Sequence, residues 1–142
     1  MKKYLLVVLP VLAFSNILSA QKIDESKVPA LVKQAFIQKY PGVSGKWEKE
    51  DVNYEVNFKN NNSVMSAVID TKGTILETET DIAVKDLPTA ITEYIKSHYK
   101  GAAIKEAALI VKAGGESMFE AEVNKMDLLF DRDGKFIKEV KD

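Results

Sequence analysis

The chain has 142 residues, no cysteine and one histidine, with 20 basic against 21 acidic residues and a formal net charge of −1. Without a basic surplus or a basic stripe it is poorly suited to nucleic acid, whose phosphates demand clustered Lys and Arg. One histidine and no thiol leave a zinc or other soft-metal centre without ligands, and the lack of cysteine excludes disulfides and lipid attachment through an N-terminal cysteine.

Residues 1–20, MKKYLLVVLPVLAFSNILSA, open with Lys2 and Lys3, run apolar from Tyr4 to Phe14 and end on Ser19-Ala20. This is the layout of a secretory signal peptide. The run is shorter than the roughly 20 apolar residues of a membrane span. The expected product is periplasmic or secreted, cut near Ala20, with no stable membrane insertion afterwards. Removing Lys2 and Lys3 leaves 20 − 2 = 18 basic residues against 21 acidic, a net charge of −3. An exported chain without disulfides must rest on its core alone.

Residues 26–40, SKVPALVKQAFIQKY, carry a helical period. Val28, Leu31, Val32, Ala35, Phe36 and Tyr40 fall on one side, with Lys33, Gln34, Gln38 and Lys39 opposite. Ser26 is the expected N-cap, Pro29 suits the first turn, and Pro41-Gly42 stops the helix. From Lys46 the period changes to two. In NYEVNFK, Tyr54, Val56 and Phe58 point one way and Glu55, Asn57 and Lys59 the other. Turns at 60–62 and 70–73 separate SVMSAVID, which is apolar on both sides, from TILETET. Loops this short impose antiparallel hairpins.

The pattern then restarts. DLPTAITEYIKSHYKG has Asp86 as expected N-cap, Pro88 in the first turn, and Leu87, Ala90, Ile91, Tyr94, Ile95 and Tyr99 on its apolar face. Strands are expected at about 103–112, 117–124 and 126–131, and DRDG turns the chain into a last strand, KFIKEV. Val28/Leu87, Pro29/Pro88, Val32/Ile91, Phe36/Ile95, Tyr40/Tyr99 and Gly42/Gly101 share an offset of 59. The turns Asp70–Gly73 and Asp131–Gly134 share an offset of 61. The fold class is therefore α+β: two tandem α-β-β-β-β repeats, residues 21–83 and 84–142, forming one antiparallel sheet with both helices on one face.

The helix VPALVKQAFIQKYPG, the strand around Trp47-Glu48, the strand YEVNF and the turn IDTKG resemble the PepSY-like, beta-lactamase-inhibitor-like proteins of exported bacterial origin. The resemblance spans residues 24–142 in two copies. It implies tandem α/β repeats with the helices on one face of the sheet, and a role in binding or inhibiting other proteins. Its motifs are structural, and it carries no functional residues over to this chain.

No residues assemble a nucleophile, base and orienter, so no enzyme activity is expected. His98 aligns with Lys39 and is read as an exposed helix-end residue. The carboxylates Glu48, Glu50 and Asp51, then Glu77, Glu79 and Asp81, then Glu120 and Glu122, sit among lysines, threonines and asparagines. That composition marks a solvated face rather than the dry pocket a general acid needs. Asp70, Asp131 and Asp133 are weak Ca²⁺ candidates: Asp-x-Asp-Gly begins a calcium loop, but the closing glutamate is missing and a hairpin turn explains the same residues. Trp47, the single tryptophan, fits either the core or the open sheet face, and its repeat counterpart falls near Glu106. The expected function is an exported, non-catalytic module that binds another exported or envelope protein. Its open sheet face would carry Glu55, Asn57, Lys59, Met118, Glu120 and Glu122, with Trp47 as the first anchor to test. The alternative is an envelope sensor of a small ligand or Ca²⁺.

Overall fold

The structure is a computed structural model that describes residues 20–141. The expected signal segment, up to its last residue Ala20, lies outside the described residues. Strand β1 (Gln21–Ile23) leads through a 3-10 turn (Glu25–Lys27) into helix α1 (Ala30–Lys39). The meander β2 (Gly45–Glu50), β3 (Asn53–Asn60), β4 (Ser63–Ile69) and β5 (Ile75–Ile82) follows. The second unit repeats the order: a 3-10 turn (Val84–Asp86), α2 (Thr89–His98), then β6 (Ile104–Lys112), β7 (Ser117–Val123), β8 (Met126–Asp131) and β9 (Phe136–Lys141). All nine strands pair antiparallel in chain order within one sheet. The tandem architecture expected from the repeat is therefore the architecture found.

Both helices cover the same face. α1 lays Val32 and Phe36 onto Trp47, Val56, Phe58, Ala67 and Ile69. α2 lays Ile91 and Ile95 onto Ala107, Ala121, Val123, Leu128 and Phe130. These are two separate apolar clusters, joined where β5 pairs with β6 from Glu77↔Lys112 to Ile82↔Ala107. Between the clusters, Thr78 faces Val111 and Thr80 faces Leu109.

Several local expectations need correction. Ser26 does not cap α1. Asp24 caps the 3-10 turn instead, accepting from Ser26 N at 2.9 Å, and the helix starts behind Pro29 without a side-chain cap. Asp86 likewise ends a 3-10 turn, and α2 starts behind Pro88. In both units the proline ring sets φ near the helical value at the junction, and this pre-organisation takes the place of a cap. Leu31 is 57% exposed: the α1 side chains that reach the core are Val32, Ala35 and Phe36. Val64, at the start of β4, is also exposed, so that strand is two-sided only towards its centre.

β1 is absent from the sequence reading. Its register explains it: Ile23 pairs with Trp47 as Ile82 pairs with Ala107. β1 is the counterpart of the end of β5, shifted by the repeat offset. The counterpart of Trp47 is accordingly Ala107, one residue beyond the expected Glu106. A change in the opposite sense occurs on the helix, where Ala35 on α1 corresponds to Tyr94 on α2. Tyr94 stacks on Phe136 and meets Phe130 edge-on. The two cores differ in residue identity and hold the same elements together.

Candidate functional site: the open face of the sheet

The strand registers define the face that no helix covers. Glu48 lies opposite Glu55, which lies opposite Val68; Asn57 lies opposite Ser66, which lies opposite Glu79. Glu79 continues to Ile110 and then Met118, while Asp81 continues to Ala108, Glu120 and Leu129. Glu122 faces Asp127. The alternation of polar and apolar residues along β3 and β7 produces this division. Glu55, Asn57, Lys59, Met118, Glu120 and Glu122 all lie on the open face.

Trp47 does not. It is 5% exposed and sits under α1, its ring edge-on to Phe36 with centroids 5.6 Å apart. Of the two placements the sequence left open to it, core or open face, the core is the one found, so Trp47 is not an exposed anchor. Strand β2 is alternating, and Trp47 pairs with core Val56 while its neighbours Lys46 and Glu48 take the other side. The buried ring borders an open groove of about 400 Å³ at the sheet edge, formed with Ile23, Glu25 and Gly45.

Charge on the open face is unevenly distributed. Glu79, Asp81, Glu106, Glu120, Glu122 and Asp127 surround a shallow depression of about 40 Å³ floored by Ala108. Lys105 reaches Glu122 at 3.6 Å and Lys112 pairs with Glu77 at the periphery. Burial, then the nearby charges of Asp81, Glu55 and Asp127, push the Glu79 carboxyl above its ordinary value. Burial raises Glu55 too, reinforced by Glu50 and Glu48 and opposed by a hydrogen bond with Ser66. On the same face Ala108, Ile110 and Leu129 are buried although no helix covers them, and none belongs to either helix-side cluster.

The aspartate turns are built alike. Asp70 Oδ1 accepts from Lys72 N at 2.9 Å and Thr74 N at 2.8 Å, and Asp131 Oδ1 accepts from Asp133 N at 3.0 Å and Lys135 N at 2.8 Å. One carboxylate oxygen in each turn is thus engaged by the loop's own backbone. The backbone bonds from Thr74 and Lys72, opposed by some desolvation, hold the Asp70 carboxyl below its usual range. Asp133 is exposed beside Arg132. Among the described residues no group of three or more His, Asp or Glu side chains is arranged to hold a metal ion. His98 is exposed at the end of α2, stacked on Tyr94 with centroids 3.9 Å apart.

The family model described as "Putative beta-lactamase-inhibitor-like, PepSY-like" matches the chain twice, over residues 17–77 and 53–138. The chain belongs to the PepSY-like family. Its fold recurs in a DUF2874 family protein from Bacteroides uniformis, at 20% identity and a TM-score of 0.71 over 79% of this chain and 88% of that one. A BLIP-like protein from Bacteroides fragilis matches at 22% identity and a TM-score of 0.65 over 79% and 85%. A protein from Bacteroides eggerthii, described as among "putative periplasmic proteins", matches at 16% identity and a TM-score of 0.71 over 80% and 88%. No curated protein matches the chain. Among the described residues of this PepSY-like chain, no helix is long and apolar enough to cross a membrane.

Proposed function

We propose that this PepSY-like protein is an exported, non-catalytic module that binds another envelope protein through the open face of its sheet, with inhibition or regulation of that partner as the consequence. The observation that carries this reading is the one-sided architecture. Both helices pack on one face and leave nine strands' worth of the other uncovered. That face mixes charged side chains with a few apolar ones such as Met118 and Val68, the make-up of a specific, partly polar interface rather than an obligate apolar one. The names of the similar structures, BLIP-like and periplasmic, agree with export and protein binding.

The test is site-specific photo-cross-linking in the native envelope. A benzophenone side chain at Asn57 or Met118 reports on the open face; one at Gln34 or Lys96 reports on the exposed sides of the helices. Cross-linked species from the first two positions and not from the second two are expected. Cross-links from the helices alone, or from no position, would sink the proposal.

A further inference from the structure

The strand that covers the edge of β2 starts on a reactive residue. β1 is Gln21–Ile23, and it pairs with β2 from Gln21↔Lys49 to Ile23↔Trp47. Gln21 directly follows Ser19-Ala20, the small residues that close the signal-peptide layout. A cut after Ala20 makes Gln21 the first residue of the chain and the first residue of the sheet at once. Any trimming from that end then shortens the strand itself.

The fold does not ask for glutamine at this place. Gln21 is exposed and belongs to neither core cluster. Thr80 lies opposite Leu109 as Gln21 lies opposite Lys49, so the equivalent place beside the second unit holds threonine.

An N-terminal glutamine brings chemistry instead. Its α-amine and its side-chain carbonyl carbon close a five-membered ring, and their presence in one residue gives the reaction a high effective molarity. The ordinary α-amino value of about 8 leaves part of the amine uncharged and nucleophilic at neutral pH. The α-nitrogen attacks Cδ and a new N–Cδ bond forms. The Cδ–Nε2 bond breaks, the side-chain nitrogen takes the proton that the α-amine gives up, and ammonia leaves. No oxidant, reductant or co-reactant enters. The product is a lactam, pyroglutamate, without a primary amine. An uncharged end also suits the position. Lys49, on the facing residue of β2, already holds its amine 5.2 Å from the centre of the Tyr54 ring, and an α-ammonium would add a second cation to the pair.

Resting on the exported reading above, we propose that Gln21 is the first residue of the exported protein and closes to pyroglutamate. The cap denies aminopeptidases the amine they need and so preserves the strand that covers β2.

The experiment uses the full chain, residues 1–142, produced with its own leader and isolated from the envelope fraction. Mass spectrometry reads the intact mass and the N-terminal peptide. The expected mass lies one ammonia below that of residues 21–142, with Edman degradation blocked until the chain is unfolded and pyroglutamyl peptidase removes the ring. Gln21→Ser should be cut at the same place, keep its full mass and sequence openly. Residues 21–142 released in vitro by a protease and held in the same buffers for the same time should keep a free amine. Equal ring closure there marks a product of handling and overturns the proposal. A broad aminopeptidase should leave Gln21–Ile23 intact in the parent and trim β1 in Gln21→Ser, lowering its urea midpoint. Equal resistance of the two chains overturns the protective role. A free Gln21 amine on the isolated chain, or a cut elsewhere, overturns the inference and leaves the exported reading standing. Recovery only from the cytoplasm with residues 1–20 attached removes both.

Discussion

Trp47 meets Phe36 edge-on, with ring centroids 5.6 Å apart and planes inclined at 80°, in the space between α1 and the first three strands. Phe36 also meets Phe58 edge-on at 5.0 Å and tilts against Tyr40 at 5.6 Å, so one helical side chain ties together four aromatic rings. Trp47→Ala would empty a large part of this cluster. The expected cost is about 3–5 kcal/mol, with Trp47→Phe losing distinctly less. Urea unfolding followed by far-ultraviolet circular dichroism measures it, since the substitution removes the only tryptophan. A Trp47→Ala variant as stable as the parent would return the ring to the surface and reopen its role as a partner anchor.

The repeated corner explains why so much of the fold was legible and why Trp47 was not. Tyr40 N donates to Phe36 O and Tyr99 N to Ile95 O, each at 2.8 Å, and the chain then leaves both helices in the same way. Short-range signals of this kind, with Pro before the helix, Gly after it and alternation along the strands, are written locally and survive in both copies. Which side of β2 faces the helix depends on pairing with β3, where Trp47 meets Val56. The repeat gave no guidance there, because its counterpart is Ala107. β1 was invisible for a related reason: three residues carry no measurable period, and only their pairing with Lys49, Glu48 and Trp47 makes them a strand. On the open face, the residues of β3 and β7 followed from alternation alone. The buried Ala108, Ile110 and Leu129 did not, because an apolar residue on a strand does not announce which face it takes.

The two aspartate turns make a paired prediction. Gly73 and Gly134 have φ of +83° and +82°, and a Cβ on Gly73 would meet Leu31 O at 2.9 Å while one on Gly134 would meet Ala90 Cβ at 2.9 Å. Each turn is pressed against the first turn of its own helix. Gly42 and Gly101 share the positive φ, at +77°, with nothing within 4 Å. Alanine at Gly42 or Gly101 should therefore cost only the conformational penalty, about 1–2 kcal/mol. Alanine at Gly73 or Gly134 should cost more, because the clash with the helix adds to it. Thermal melts of the four variants give the ranking. Equal losses at all four sites would show that the contact with the helix is not limiting.

Stability should rise on mild acidification. Glu55 and Glu79 have folded-state values raised above the unfolded one, by burial first and by neighbouring carboxylates second. The folded protein then binds more protons than the unfolded chain above the ordinary glutamate range, so lowering the pH from neutral favours folding. This contribution is present below the unfolded value and is lost as pH rises through the folded values. Asp24, lowered by hydrogen bonds from Ser26, and Asp70 act oppositely: their contribution is lost as pH falls below about 3.8. The urea midpoint should thus peak in the acid range and decline on either side. Glu55→Gln/Glu79→Gln should flatten the neutral limb, and a parent chain equally stable at pH 5 and pH 7 would contradict the assignment.

At the alkaline end one residue should stand apart. Tyr99 Oη donates to Glu139 Oε2 at 2.7 Å, and this bond, aided by some desolvation, pushes the phenol up to about 12. The contact contributes stability below about 10, the unfolded value, and loses it as pH rises through about 12. Burial raises the Tyr40 phenol as well, so ultraviolet titration of the tyrosines should show a latest-ionising group, Tyr99, that Glu139→Gln brings forward. A latest step left unchanged by Glu139→Gln would mean that the Glu139 bond is not its cause and that burial, as at Tyr40, is.

The last prediction concerns the strand that the repeat logic identifies. Within the second unit the edge of β6 is covered by the whole of β5, from Glu77 to Ile82. The edge of β2 has only Gln21–Ile23, the three-residue counterpart of the end of β5. Ile23 also packs against the first core beside Trp47. Deleting residues 21–23 would strip both the apolar contact and the backbone partners of Trp47, Glu48 and Lys49, at a cost of roughly 1–3 kcal/mol. It would also expose a longer unpaired edge, which in a sheet of this kind recruits another strand. Sedimentation of the deletion variant should show a concentration-dependent dimer that the parent lacks. Ile23→Ala should lose stability without gaining association, because it keeps the backbone cover and removes only the side chain. If the deletion and the point variant behave alike, β1 serves the core alone and the edge of β2 is protected by its own Lys46 and Lys49.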